Sequence, residues 1–277
     1  MFTKTKIQTL ALIERKHLSR VFLLLTAVIG NAYADGLNDL NAALERLQGT
    51  EAISAELESS FTEIRDAGED VKKGLATVWL DDNAKGLKVT YSKEVIKNIE
   101  LEAQLRIENE DADTPTLNAV NDLRAATIRE MLSANKAIAR RVSQATFIDE
   151  QQVDFQGQMV RQLNFELPLK AVIKDKKVRE YVKKFSAKYQ ILIDDEGIPF
   201  QTTLDYQGKG RAYIVLSMKA KGSRVSKYTV VSDRLVRLSS HHVGSYSSTF
   251  GDTETTEEDK IELKTSLAAN NDNLTAN

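Results

Sequence analysis

The chain has 277 residues, a formal net charge of −2 and no cysteine. Without cysteine it has neither a disulfide framework nor thiol chemistry. Its mild acidity argues against a nucleic-acid-binding protein, because a basic surface supplies most of the non-specific affinity for nucleic acid.

The first 34 residues have the order of a secretory signal peptide. A basic region precedes the apolar run 21–30, and Ala32-Tyr33-Ala34 forms a small-x-small cleavage site. That run is too short to span a bilayer, which takes about 20 residues. We expect cleavage after Ala34, a periplasmic or secreted protein, and no transmembrane span in the mature chain. An uncleaved N-terminal anchor is the alternative.

Residues 35–250 have the pattern of a single α+β domain. Leucines at positions 37, 40, 44 and 47 form one apolar stripe, which predicts a helix that ends before Gly49. Strict alternation of apolar and polar residues over 53–62 then predicts a strand with one buried face. Two further strands follow, at 72–82 and 87–91.

The β pattern stops at residue 92 and resumes after 142. Ser92 is a candidate N-cap, and Thr114-Pro115 has the composition of a second helix start. Apolar residues at helical spacing follow each of them. We therefore predict a helical insertion over 92–142.

Strands resume with a hairpin that turns at Gln156-Gly157 and continue as a meander from Lys184 to His242. Together these segments predict a curved antiparallel sheet, half-barrel-like, of about eight to eleven strands. The N-terminal helix and the insertion should pack on one of its faces. Residues 251–277 are predicted to be an acidic polar tail, with an optional last strand at 260–267 and a disordered end.

Three aromatic residues fall on the first three predicted strands. Phe61, Trp79 and Tyr91 are placed to line one concave face, with the helical insertion above them as a lid. An apolar cavity is the usual form of a small-molecule site. The predicted ligand-binding residues are therefore Phe61, Trp79, Tyr91, Leu117, Leu123, Ile128 and Met131. The alternative is that the same residues are ordinary core between helix and sheet.

A basic stretch lies between the hairpin and the meander, at 170–188. One interpretation is a contact for anionic lipid headgroups or for an acidic partner. The other is a solvated linker or short helix, which charged runs usually form.

His241 and His242 are the only histidines after residue 34. Neighbouring strand residues point to opposite faces, so the two side chains are badly placed to share one metal ion. No supporting catalytic motif accompanies them. We therefore expect no metal site and no cofactor, and a hydrolase is the least favoured function.

The order of helix, curved sheet, helical insertion and further sheet resembles the LolA-like half-barrel superfamily of periplasmic lipoprotein carriers. The local likeness lies in Ser60-Phe61-Thr62-Glu63 and in the segment 74–80, GLATVWL. The superfamily has an Arg-Pro pair after that segment, where this chain has Asp81-Asp82. The resemblance implies a half-barrel that holds a lipid.

The sequence thus favours a non-enzymatic periplasmic binding or carrier protein for an apolar ligand, a lipid or an acyl chain. The alternative is a protein-interaction module of the cell envelope, which would use the basic stretch 170–188 or an exposed sheet edge to contact a protein partner.

Overall fold

The computed structural model describes residues 35–212 and 216–264, which form ten strands and seven helices. The helices are α1 (Asp35–Arg46), α2 (Lys93–Glu108), α3 (Pro115–Asp122), α4 (Ala125–Leu132), α5 (Asn135–Gln144), α6 (Leu169–Val172) and α7 (Lys176–Tyr181). The strands are β1 (Ile53–Arg65), β2 (Asp70–Asn83), β3 (Gly86–Tyr91), β4 (Thr146–Phe155), β5 (Gln158–Glu166), β6 (Val182–Ile193), β7 (Pro199–Ala212), β8 (Leu216–Val231), β9 (Arg234–Ser248) and β10 (Gly251–Lys264).

All ten strands belong to one curved antiparallel sheet that stays open, in the order β3-β2-β1-β10-β9-β8-β7-β6-β5-β4. Every neighbour in this order is also a neighbour in the chain, except for the pair β1 and β10. The strands β3 and β4 form the two edges. The helices α2 to α5 therefore carry the chain from one edge of the sheet to the other. The α+β fold class predicted from the sequence is confirmed.

Local sequence signals account for several element boundaries. The Ser92 hydroxyl accepts a hydrogen bond from the amide of Val95 at 3.1 Å and so caps α2. Pro115 is the first residue of α3, where its missing N–H costs nothing. The turn between β4 and β5 has positive φ at Gln156 (57°) and Gly157 (84°), as a two-residue type I′ hairpin requires.

The acidic segment after residue 250 is not a tail. The prediction was wrong for 251–259, because strand β10 begins at Gly251 and pairs with both β1 and β9. Successive residues of a strand point to opposite sides, so the threonines and acids of β10 are divided between the two faces of the sheet. Residues 265–277 and the predicted export signal lie outside the described residues.

The helices cover one face of the sheet, here called the inner face; the opposite one is the outer face. One apolar cluster joins α1 and α5 to β5, β6 and β7 through residues such as Leu40, Ile138 and Tyr189. A second joins α4 to β1, β2 and β9, through residues such as Ile128 and Leu57. Both are inner-face cores.

The part of β2 that β3 does not reach is covered by α3. The side-chain amide of Asn118 donates to the backbone oxygen of Lys73 at 2.9 Å. The buried Glu102 carboxylate of α2 accepts from the amides of Thr116 (3.2 Å) and Leu117 (2.7 Å), which satisfies the free N–H groups at the start of α3. The helices thus protect an otherwise open strand edge.

One buried arginine connects the sheet to the helical insertion. Arg234, at the start of β9, is 4% exposed and binds the Asp82 carboxylate of β2 at 2.5 Å. Its guanidinium also donates to the backbone oxygens of Leu132 (3.2 Å), at the end of α4, and of Glu51 (2.9 Å). Each of the three guanidinium nitrogens therefore donates to an acceptor.

Removing this arginine should destabilise the protein strongly. We expect Arg234→Met to lower the free energy of unfolding by about 3 kcal/mol, the lower end of the range for a broken buried pair, because it leaves the Asp82 carboxylate, which is only 15% exposed, without its partner. Urea denaturation of the purified variant measures this. The double variant Arg234→Met/Asp82→Leu should recover part of the loss. Equal stability of Arg234→Met and the unchanged protein would contradict the assignment.

Candidate functional site

The structure divides the three predicted aromatic residues between the two faces. Tyr91 is paired with Val78, and Phe61 with Gly74, so both lie on the inner face. Trp79 lies on the outer face and is 44% exposed. The prediction that it shares a face with the other two was wrong. The buried side of β2 is its even-numbered positions, so an odd-numbered residue faces out.

The predicted lid residues lie on the inner face or at the sheet edge. Ile128 and Met131 of α4 are 1% and 2% exposed and belong to the same apolar cluster as Leu57. Leu123 packs against that cluster, and Leu117 lies on α3 beside β2. At α4, therefore, apolar side chains of helix and sheet occupy the predicted ligand space. Ligand binding by these residues stays a prediction.

A polar network crosses the inner face beyond the helices. The Nε2 atom of His242 lies 3.2 Å from the Tyr206 hydroxyl, and its Nδ1 lies 3.4 Å from the Glu257 carboxylate. The Arg224 guanidinium donates to the same carboxylate at 2.7 Å. A Cβ on Gly222 would lie 2.5 Å from the Tyr206 hydroxyl, so this strand glycine makes room for the phenol ring.

Two carboxyl groups of β10 on this face have shifted pKa values. His242, whose Nδ1 lies 3.4 Å from the carboxylate, together with the charge and hydrogen bond of Arg224, lowers the pKa of Glu257 to about 2 against the opposing effect of burial. Burial raises the pKa of Asp259, although the Ser59 hydroxyl donates to it at 2.8 Å. The network is therefore held by an ionised Glu257 at neutral pH.

The two histidines point to opposite faces, as the sequence predicts. His241 pairs with Val225 and Glu258 on the outer face, whereas His242 lies in the inner-face network. Within the described ranges, no group of three or more His, Cys, Asp or Glu side chains is arranged to hold a metal ion.

Acid should weaken the fold through Glu257. Its folded-state pKa of about 2 lies below the ordinary value, so its contribution to stability is complete above about pH 4.5 and is lost as the pH falls towards 2. We expect Glu257→Gln to be less stable than the unchanged protein at pH 6, with the difference shrinking below pH 4. Thermal unfolding across this pH range measures it. Parallel pH profiles of the two proteins would contradict the assignment.

The outer face of β6, β7 and β8 carries a groove lined by lysines. Lys184, Lys209 and Lys219 stand directly opposite one another on the three strands, and Lys221 follows on β8. The groove has a volume of about 530 Å³, and its lining contains no acidic residue. A second groove of about 740 Å³ shares Ser186, Gln207, Lys221 and Ser245 with it and continues towards β10.

Lysines directly opposite one another on neighbouring strands repel, so this row costs stability. None of the four lysines forms a salt bridge with another residue of the described chain. All four side chains are exposed. Their charge is therefore available to an external anion, and we take this outer-face groove as the candidate functional site.

The sequence located only part of this site. The basic stretch 170–188 contributes Lys184 and, to the second groove, Lys188. The remaining lysines come from the polar positions of β7 and β8, and only the strand register brings them together. Tyr206, Arg224 and Glu257 of the inner-face network were missed; glycines inside strands, at 222 and 244, were the available signal.

Comparisons of the chain with family models, with curated proteins and with solved structures found no match. Across residues 35–212 and 216–264, no helix has both the length and the apolar character needed to cross a membrane. The likeness to the LolA-like superfamily stays a prediction.

Proposed function

We propose that this is a non-enzymatic binding protein of the cell envelope, whose outer-face groove binds an anionic partner. The observation that carries the proposal is the in-register row of Lys184, Lys209 and Lys219 beside Lys221. Like charges gathered on one rigid surface raise the local concentration of an oppositely charged partner and speed its association.

The surroundings of the row fit binding rather than chemistry. Between the lysines lie serines and a glutamine, Ser186, Gln207, Ser245 and Ser247, which are neutral donors and acceptors. The groove is held by four antiparallel strands, so it is preorganised. The groove lining contains no carboxylate or imidazole beside a serine hydroxyl to act as its general base.

The carrier hypothesis receives less support from the structure. The space between α4 and the sheet is occupied by Ile128, Met131 and Leu132, each at most 2% exposed. Native mass spectrometry of protein from the periplasm tests this hypothesis separately: a co-purified lipid or acyl chain would support it, and a mass equal to that of the chain alone would oppose it.

Reversing two lysine charges should weaken the binding of anions. We expect Lys209→Glu/Lys219→Glu to lose at least about tenfold affinity for fluorescent poly-L-glutamate, which is about 1.4 kcal/mol. Fluorescence anisotropy measures the affinity at about 0.01 M and about 0.1 M ionic strength. At about 0.1 M, charges more than about 10 Å apart are largely screened, so the unchanged protein should bind the probe more weakly than at about 0.01 M.

The matched control is Lys93→Glu/Lys97→Glu on α2, which makes the same change of net charge at two exposed positions away from the groove. It should bind the probe nearly as well as the unchanged protein. Equal losses in the two variants would mean that net charge alone drives binding, and the proposed site would be wrong.

A further inference from the structure

The outer-face groove and the second groove form one concavity whose two ends have opposite charge. At one end, here called the cationic end, are the four lysines Lys184, Lys209, Lys219 and Lys221. The second groove continues from there over β9 to Glu254 of β10. Asp252 lies on the same face of β10, two residues away. Asp252 and Glu254 are here called the acidic end.

The strand register gives the order of the charges along this concavity. Two neighbouring rows cross the sheet, and in each a lysine of β8 is followed by a serine of β9 and a carboxylate of β10: Lys219, Ser247 and Asp252 in one row, Lys221, Ser245 and Glu254 in the other. Neighbouring strands are about 4.8 Å apart, so each carboxylate lies about 10 Å from the lysine of its row, measured between strands.

The carboxylates of the acidic end are available to a ligand. Asp252 and Glu254 are exposed, and neither forms a salt bridge with another residue of the described chain. The second groove also contains Lys188 and Asp205, which stand directly opposite each other on β6 and β7. Because these two charges are adjacent and opposite, they change the charge of neither end.

We infer that the ligand of this concavity is an acidic peptide with a free amino terminus. Its ammonium group lies at the acidic end, and its acidic side chains lie at the cationic end. This inference rests on the proposed function and names the partner of that site. The amino terminus of a peptide has a pKa of about 7.7–8.0, so it is positively charged below that pH. One short chain thus supplies both charges that the concavity attracts.

The strand spacing determines where the acidic residues of the peptide must lie. The distance from β10 is about 10 Å to β8 and about 19 Å to β6. An extended chain covers about 3.3 Å per residue, so these distances correspond to about three and about six residues. Acidic side chains from about the fourth to the seventh position therefore meet the lysines. Acidic side chains in the first three positions meet Asp252 and Glu254 and are repelled.

Neutral polar side chains line the concavity between its charged ends. Ser186, Gln207, Ser223 and Ser245 have hydroxyl or amide groups, which both donate and accept hydrogen bonds. A peptide backbone presents donors and acceptors of both kinds. The middle of the concavity is therefore suited to a peptide, whereas an acyl chain has no polar group to offer it.

A peptide also fits this concavity better than an anionic membrane does. A bilayer surface with anionic headgroups attracts the lysines and repels Asp252 and Glu254, which lie only two strands away on the same face. A chain with a positive end and a negative end is attracted at both places. The separation of the two charges therefore favours the peptide.

Three fluorescent peptides of equal length test the inference. The first has a free amino terminus, three glycines and then four glutamates; the second is the same peptide with an acetylated amino terminus; the third has the four glutamates before the glycines. Each has its fluorophore at the carboxyl end. Fluorescence anisotropy at about pH 6, where the free amine is protonated, measures the affinities. The ionic strength is about 0.01 M, so that the charges are little screened.

The unchanged protein should bind the first peptide at least about threefold more tightly than either of the other two, as an exposed ion pair allows. Acetylation makes the peptide more negative. Attraction to the lysines alone therefore predicts the opposite result, tighter binding of the acetylated peptide.

Removing the acidic end should abolish the preference for the free amine. The variant Asp252→Asn/Glu254→Gln keeps every lysine and should bind the acetylated peptide at least as tightly as the first. The matched control, Glu94→Gln/Glu100→Gln on α2, removes two exposed carboxylates away from the concavity and should keep the preference. Unfolding of both variants near the original temperature shows that they are folded.

The outcomes separate this inference from the proposed function. If the unchanged protein binds the acetylated peptide as tightly as the first, the inference is wrong, and the proposed function stands as long as binding still depends on the lysines. If Lys209→Glu/Lys219→Glu binds the peptides and poly-L-glutamate as well as the unchanged protein does, both are wrong. Lysine-dependent cosedimentation with phosphatidylglycerol vesicles, without any preference among the peptides, would assign the site to a lipid surface instead.

Discussion

The buried ion pair between Arg234 and Asp82 is the contact on which the two halves of the fold depend. It joins β9, near the middle of the sheet, to β2 next to one edge, and the same guanidinium holds the last carbonyl of α4. Desolvating two charges is costly, and a buried pair stabilises only when its remaining donors are also satisfied. Here the backbone oxygens of Leu132 and Glu51 satisfy them. The pair therefore fixes where α4 lies on the sheet.

With α4 held in this position, the two faces of the sheet differ in composition and in exposure to solvent. Under the helices the inner face is apolar, with Leu57, Val78 and Tyr189 fully buried. Beyond the helices, the same face carries the network of Arg224, His242 and Glu257, which pairs charged groups that are partly exposed to solvent. The outer face is free of helices from β6 to β1 and carries separated charges of both signs. Strand alternation alone assigns each residue to one face or the other.

Local patterns in the sequence were enough to predict the fold class, the helical insertion and the meander, because each depends on periodicity within one segment. The candidate site depends on register between segments. Lys184, Lys209 and Lys219 are far apart in the chain and become neighbours only through two pairings. Trp79 was misplaced for a related reason: its face is set by which side of β2 meets α4. The acidic first part of β10, 251–259, was missed because it has no alternation of apolar and polar residues; its pairing with β1 and β9 holds it in the sheet.

The central position of β10 also explains how a strand so rich in acids is tolerated. On the inner face, Glu257 has Arg224 and His242, and Asp259 has the Ser59 hydroxyl. On the outer face, Glu262 has Lys264, and Glu258 has Lys260, whereas Glu254 forms no salt bridge with the described chain. The charges left without an internal partner thus gather on one face, opposite in sign on the two sides of β9. Within a single copy, therefore, the lysines and acids that lack an internal partner lie on different strands.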